Sequence, residues 1–179
     1  MVKRPFRKAA VTIALVGIMA ATLECAKLAL ASLPNVEAVT LLTALYGYVF
    51  GPLGILASVV FVCIEPMIWG VGTWIISYII YWPAVAAVFM LLGRLKIKRR
   101  FAITSIAVIL TFLFGILTSL VDIGLFTGNY ENFIYRFGIY YARGVYFYLT
   151  HIICNAILFP LVFPSLSRSL FSIGRKILK

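Results

Sequence analysis

The chain has 179 residues, of which 64% are hydrophobic and 12% charged, with a mean hydropathy of +1.09. A soluble domain carries about 25% charged residues, and one core of this size cannot hide the apolar excess, so the composition excludes an ordinary soluble protein and points to an all-α integral membrane bundle. The net charge of +11 would suit nucleic acid, but the basic residues sit in short clusters beside apolar runs, which is the signature of membrane topology.

Residues 1–8 form a basic lead with Lys3, Arg4, Arg7 and Lys8. The apolar run behind it is too long for a signal sequence and has no clear small-residue cleavage site, so it is expected to be a retained first span, about residues 9–31. Ala10 and Ala14, then Gly17 and Ala21, are spaced four apart, which lets another helix approach closely in lipid, within this chain or from a partner. Glu24 and Lys27 follow three apart on one face. A polar break, Pro34-Asn35-Val36-Glu37, precedes a short second span at about 38–50, and Gly51-Pro52 makes the next turn.

The third span, about 53–67, meets Glu65-Pro66. Trp69-Gly70-Val71-Gly72-Thr73-Trp74 is an irregular segment whose glycines allow unusual backbone angles. The fourth span, about 73–92, contains Trp82-Pro83, an expected kink. A basic loop, Arg94 to Arg100, leads to the fifth span, about 101–121, which ends at Asp122. Residues 123–137 read as a polar, aromatic loop. A sixth span at about 138–163 is followed by a tail with Arg168, Arg175, Lys176 and Lys179. The expected architecture is one domain, 1–179, of six transmembrane helices.

Six spans return both termini to one side. The lead, the loop after the fourth span and the tail hold thirteen of the sixteen Lys and Arg residues and all lie on that side, which is therefore expected to be cytoplasmic. Every acidic residue then falls in the outer half. Arg136, Tyr140, Arg143, Phe147, His151 and Asn155 are spaced by three or four, so on a continuous sixth helix they form one polar stripe facing the bundle interior. The expected site is an outward-facing small-molecule pocket built from Glu24, Lys27, Asn35, Glu37, Glu65, Trp69, Trp74, Tyr78, Asp122, Arg136, Tyr140, Arg143 and His151. For any single pair, such as Arg143 with Glu65 or Asp122, a structural ion bridge is the competing explanation. One histidine and three scattered cysteines offer no metal-ligand spacing, no cofactor is expected, and there is no phosphate-cradling loop for ATP hydrolysis.

The short spans, the Ala10/Ala14 pair, the Leu33-Pro34-Asn35-Val36-Glu37 stretch running into Val39-Thr40-Leu41-Leu42, the Phe50-Gly51 and the Glu65-Pro66 segments together resemble the substrate-binding S component of an energy-coupling factor (ECF) transporter, over nearly the whole chain. That resemblance implies a non-enzymatic, high-affinity binding subunit of an ABC-type importer in a bacterial plasma membrane. It implies capture of a vitamin or related micronutrient, docking through Ala10 and Ala14 onto a membrane coupling subunit, and energy from two ATPase subunits on separate chains. Cobalamin, a pyrimidine precursor and pantothenate all suit the mix of charges and rings, with cobalamin slightly favoured. The main alternative is a self-sufficient secondary transporter of a small polar solute, which would need a polar route through the inner half. An intramembrane enzyme using Glu24, Glu65 and Asp122 as acid–base groups lacks a nucleophile motif.

Overall fold

The computed structural model describes residues 3–34, 36–126 and 131–177. Among these the chain is all helical: α1 (Lys3–Leu30), α2 (Val39–Phe50), α3 (Pro52–Trp69), α4 (Trp74–Arg94), α5 (Arg100–Phe126), α6 (Phe133–Arg143) and α7 (Val145–Ile177). The candidate membrane-crossing segments in α1, α3, α4, α5 and α7 are long and apolar enough to cross a bilayer, and only 17% to 39% of the most apolar window in each is buried. The rest of that apolar surface, including Ile13, Ile79, Phe101 and Leu161, points outward, as a lipid solvent requires. This is a multi-pass helical membrane protein.

α2 is the axis of the bundle. Ten of its twelve residues are buried, and α1, α3, α4 and α7 all pack against it. Glycines set how closely it meets its neighbours. A Cβ on Gly47 would lie 2.1 Å from the Ala86 carbonyl oxygen of α4, and one on Gly93 of α4 would lie 2.3 Å from the Tyr48 carbonyl oxygen. Close backbone contact of this kind is how helices associate without a hydrophobic driving force between them. Gly51 turns the chain from α2 into α3 at φ +60°, a left-handed conformation that glycine adopts at no steric cost.

The ends of the bundle differ in charge. One end carries the basic start of α1, the connection between α4 and α5, and the end of α7; the other carries the acidic residues. α2 runs between them: its first turn lies beside Glu37, and near its last turn the Tyr48 hydroxyl donates to the Ile97 carbonyl in the basic α4–α5 connection at 2.9 Å.

The helices follow the sequence expectation closely up to the fifth. Gly70 has φ +79° in the break between α3 and α4, the irregular segment its two glycines foretold. Pro66 and Pro83 both lie inside continuing helices. α5 runs past Asp122 to Phe126, so Asp122 sits within the helix rather than ending it. The last span differs most. The chain from 133 to 177 is two helices with Gly144 as the C-cap of α6. α7 starts at Val145 and continues fourteen residues beyond the expected end at 163. α6 has no buried residue, so it lies at the margin of the bundle instead of forming the first turns of a span.

Candidate functional site

At the acidic end, the last turns of α1 and α3, the first turns of α2, α4 and α7, the loop before α2 and the middle of α5 enclose a cavity of about 240 Å³. Its walls are aromatic, from Trp69, Tyr78, Trp82 and Phe114, and aliphatic, from Leu30, Leu33, Val36 and Val39. Its polar anchors are Lys27, Glu37 and His151.

Lys27 lies in the last turn of α1, where a cation also complements the helix dipole. Its ammonium forms a salt bridge with Glu65 of α3, whose side chain is wholly buried. It also stands over three aromatic rings, 5.1 Å from the Trp69 centroid, 5.6 Å from Trp74 and 5.0 Å from Tyr78. Those distances are within the range of cation–π attraction. Trp74 and Tyr78 are one turn apart on α4 and meet edge to face at 5.0 Å, and Tyr78 meets Trp82 in the same way at 5.5 Å. Glu24, three residues before Lys27 on α1, is buried within electrostatic reach of Glu65. Both Glu24 carboxylate oxygens and Oε1 of Glu65 are buried without a hydrogen-bond partner.

Glu37 holds the opposite wall. Its Oε2 accepts the backbone N–H of Thr40 at 2.8 Å, which caps the first turn of α2. Its Oε1 pairs with His151 Nε2 at 2.6 Å and accepts from Asn155 Nδ2 at 3.1 Å. Asn155 also donates to Thr111 of α5, and the Cys154 thiol donates to the Glu37 carbonyl. The loop is therefore bolted to α2 and α7 through one carboxylate. Burial alone would raise the pKa of Glu37; its pairing with His151 and the hydrogen bonds from His151 and Thr40 outweigh that and hold it down at about 2. His151 also meets Thr40 Oγ1 at 3.3 Å and the edge of Phe114 at a ring separation of 5.6 Å.

Of the residues expected in the site, Lys27, Glu37, Trp69, Tyr78 and His151 line the cavity. Glu24, Glu65 and Trp74 form the surroundings of Lys27 rather than the cavity wall. Asp122 and Tyr140 are brought together elsewhere. Asp122 accepts from the Thr73 hydroxyl and, at 2.8 Å, from the Tyr140 hydroxyl, tying the start of α4 to α5 and α6. Donation to that carboxylate pushes the Tyr140 phenol up to about 12. Arg136 and Arg143 are on α6, outside the cavity lining, and Arg143 is exposed. Asn35 lies outside the described residues, as do Asn129 and Tyr130 of the following polar loop. The single stripe expected along the last span is thus divided at Gly144. Its inner part persists on α7, where His151, Asn155, Phe159 and Phe163 repeat every fourth residue and are all buried.

Phe114, Val36, Val39 and Leu30 line the cavity and were not singled out by sequence. Phe114 had a faint signal, since it lies among Thr111, Gly115 and Thr118, small or polar residues that mark the inward face of α5. Leu30 had none, and Val36 and Val39 were marked only as members of the stretch around Pro34. Among the described residues no group of three or more His, Cys, Asp and Glu is arranged to hold a metal ion.

Ala10 and Ala14 are exposed on α1, as are Gly17 and Ala21, and a Cβ on Gly17 would meet nothing within 4 Å. The buried face of α1 is instead Leu15, Val16, Met19, Ala20 and Leu23. Among the described residues, the small-residue face is not used for packing within this chain. No family model, curated protein or solved structure matches the chain.

Proposed function

We propose that the protein is the membrane-embedded substrate-binding subunit of an ECF-type importer, taking a vitamin or related micronutrient from outside a bacterial plasma membrane. The observation that carries this reading is the cavity: about 240 Å³ with aromatic walls and a few polar anchors, all at the end of the bundle away from the basic clusters. Concave, mostly apolar sites with few oriented polar groups are where small ligands bind. The basic clusters support a cytoplasmic placement for both termini, with α2 counted as a sixth crossing because it connects the two ends. The exposed small-residue face of α1 at Ala10 and Ala14 supports close docking of a coupling subunit there. The sequence has no nucleotide-binding loop, in keeping with ATPase subunits on separate chains.

The volume bears on the substrate. A pyrimidine precursor or pantothenate is of a size to enter 240 Å³. Cobalamin is several times larger and would remain mostly outside, so the slight preference for it drawn from sequence gives way to the smaller compounds. The test is native mass spectrometry of protein purified from cells in rich medium. One small molecule per chain, of a mass fitting the cavity, is the expected result; empty protein that a vitamin panel fails to stabilise would remove the proposal.

A self-sufficient secondary transporter is the second reading. It is favoured by Glu24, Glu65 and Lys27, ionisable groups at membrane depth of the kind that mark coupling-ion paths. Uptake by proteoliposomes containing this chain alone, driven by an ion gradient, would establish it and displace the first.

A further inference from the structure

The cavity holds more negative than positive charge. Three carboxylates, Glu24, Glu37 and Glu65, stand in or directly behind its walls, against one ammonium, Lys27, and one imidazole, His151. Among the described residues, with all three carboxylates ionised and His151 counted as charged, one negative charge is left over. It is not spread over solvent: Glu24 is 7% exposed and Glu65 0%, and three of their four carboxylate oxygens have no donor. Buried charge without a partner is costly, and the cost is largest where no water can reach it.

The aromatic wall shows what kind of group the site accommodates. The Lys27 ammonium sits within 5.6 Å of three ring centroids with a carboxylate as its counter-ion. That is the construction of an aromatic cage for a cation, here filled by a side chain of the protein itself. Glu65 pairs with this ammonium and Glu24 stands against Glu65, so with both ionised the occupied cage is short of positive charge. A ligand entering beside Lys27 meets the faces of Tyr78 and Trp69 and the residual field of Glu24 and Glu65.

We propose that the cavity takes an organic cation: a small ring-bearing compound that presents a protonated amine or a quaternised ring nitrogen to the cavity-lining rings Trp69 and Tyr78, beside Lys27. This rests on the small-molecule binding proposed above and narrows its substrate class. An anion would raise the uncompensated charge, a neutral compound would leave it, and only a cation removes it. At separations of several ångströms and the effective dielectric of a partly buried site, one unit of charge changes affinity by at least about tenfold.

The experiment uses the full chain in lipid nanodiscs, stripped of ligand, and three probes with nearly the same ring and size: the N-methylnicotinamide cation, neutral nicotinamide and anionic nicotinate. Quenching of tryptophan fluorescence reads binding, since Trp69 and Trp82 line the cavity. The cation is expected to bind at least about tenfold more tightly than nicotinamide, and nicotinate most weakly. In Glu24→Gln, whose change leaves the Lys27–Glu65 pair in place, the advantage of the cation over nicotinamide is expected to fall to a few-fold. Equal binding of cation and neutral probe overturns the inference and assigns the compensating charge to a bound proton. Tighter binding of nicotinate also overturns it. If none of the probes binds, the compound co-purified from cells decides: a cation supports the inference, and a neutral or anionic compound overturns it while leaving the binding-subunit reading intact. No probe bound and no compound carried would defeat both.

Discussion

Replacing Glu37 by Gln tests whether one carboxylate fastens the loop before α2 to the bundle. Glu37 receives the Thr40 N–H on one oxygen and both His151 and Asn155 on the other. A glutamine turns one of those oxygens into a donor, so whichever way it lies it confronts an N–H with an N–H. The magnitude follows from the acidity. The group ordinarily titrates at 4.5 and in the folded protein at about 2, which corresponds to about 3 kcal/mol favouring the charged, folded form. The amide keeps one good acceptor, so a loss of about 2 kcal/mol at neutral pH is expected. The sign fixes the pH dependence. A depressed folded value means the stabilisation is complete above 4.5 and disappears as pH falls toward about 2. Equilibrium unfolding in mixed detergent micelles should therefore show a gap between wild type and Glu37→Gln that is constant from neutral pH down to about 4.5 and then closes. Other carboxylates titrate in the same range but cancel in the difference. A gap that is absent at neutral pH, or that stays the same at low pH, would show that Glu37 does not hold the loop.

Other outcomes are equally definite. Ala10 and Ala14 are exposed, so replacing both by Trp should leave folding and ligand affinity unchanged yet abolish uptake by the assembled importer; normal uptake in cells would move the docking face elsewhere. Gly47→Leu drives a side chain into the Ala86 carbonyl, where even a Cβ would lie 2.1 Å away, and should lower stability in detergent by about 3 kcal/mol or prevent accumulation; a stable, unaltered variant would contradict the close α2–α4 contact. Arg143→Ala should leave cavity affinity within about twofold, because Arg143 is exposed on α6 beyond the cavity lining. A tenfold loss in titration of the co-purified ligand would bring α6 back into the site, as about 1.4 kcal/mol of lost contact.

The helices that sequence located well are those whose ends are marked by chemistry that cannot continue a helix in lipid. Pro34, Gly51, the Gly70/Gly72 segment and residues 95–99 of the basic run each separate two apolar stretches, and each falls between helices in the structure. The last span had no such mark at its start. Phe133 to Arg143 alternates aromatic and polar residues with helical spacing, and the same spacing continues through His151 and Asn155. Nothing in a periodicity count distinguishes one helix from two that share a phase, and a single glycine inside a membrane helix is ordinary. At the other end, the polar residues after Phe163 suggest the end of a span, but they do not end the helix: α7 continues through Arg168 and Arg175 with Ser167 and Gly174 buried against the bundle.

The site was legible for a different reason. Charges within apolar sequence are expensive enough that their positions imply a common interior, and Lys27, Glu37, Glu65 and His151 do converge at one end of the bundle. What spacing along the chain could not supply is the partner of each charge. Glu24 and Lys27 are three apart on one helix, yet the salt bridge Lys27 makes is to Glu65, thirty-eight positions away. Asp122, of the same residue class and at a similar depth, is satisfied by two neutral hydroxyls from Thr73 and Tyr140 and takes no part in the cavity. The difference lies in what packs opposite. Lys27 stands between an aromatic wall and Glu65, and Glu24 lies behind that pair with no donor to its oxygens. The neighbours of Asp122 are hydroxyls that use both its oxygens and leave nothing over. Both oxygens of Asp122 fasten helices together, whereas both oxygens of Glu24 and Oε1 of Glu65 are buried without a hydrogen-bond partner behind the cavity-lining Lys27.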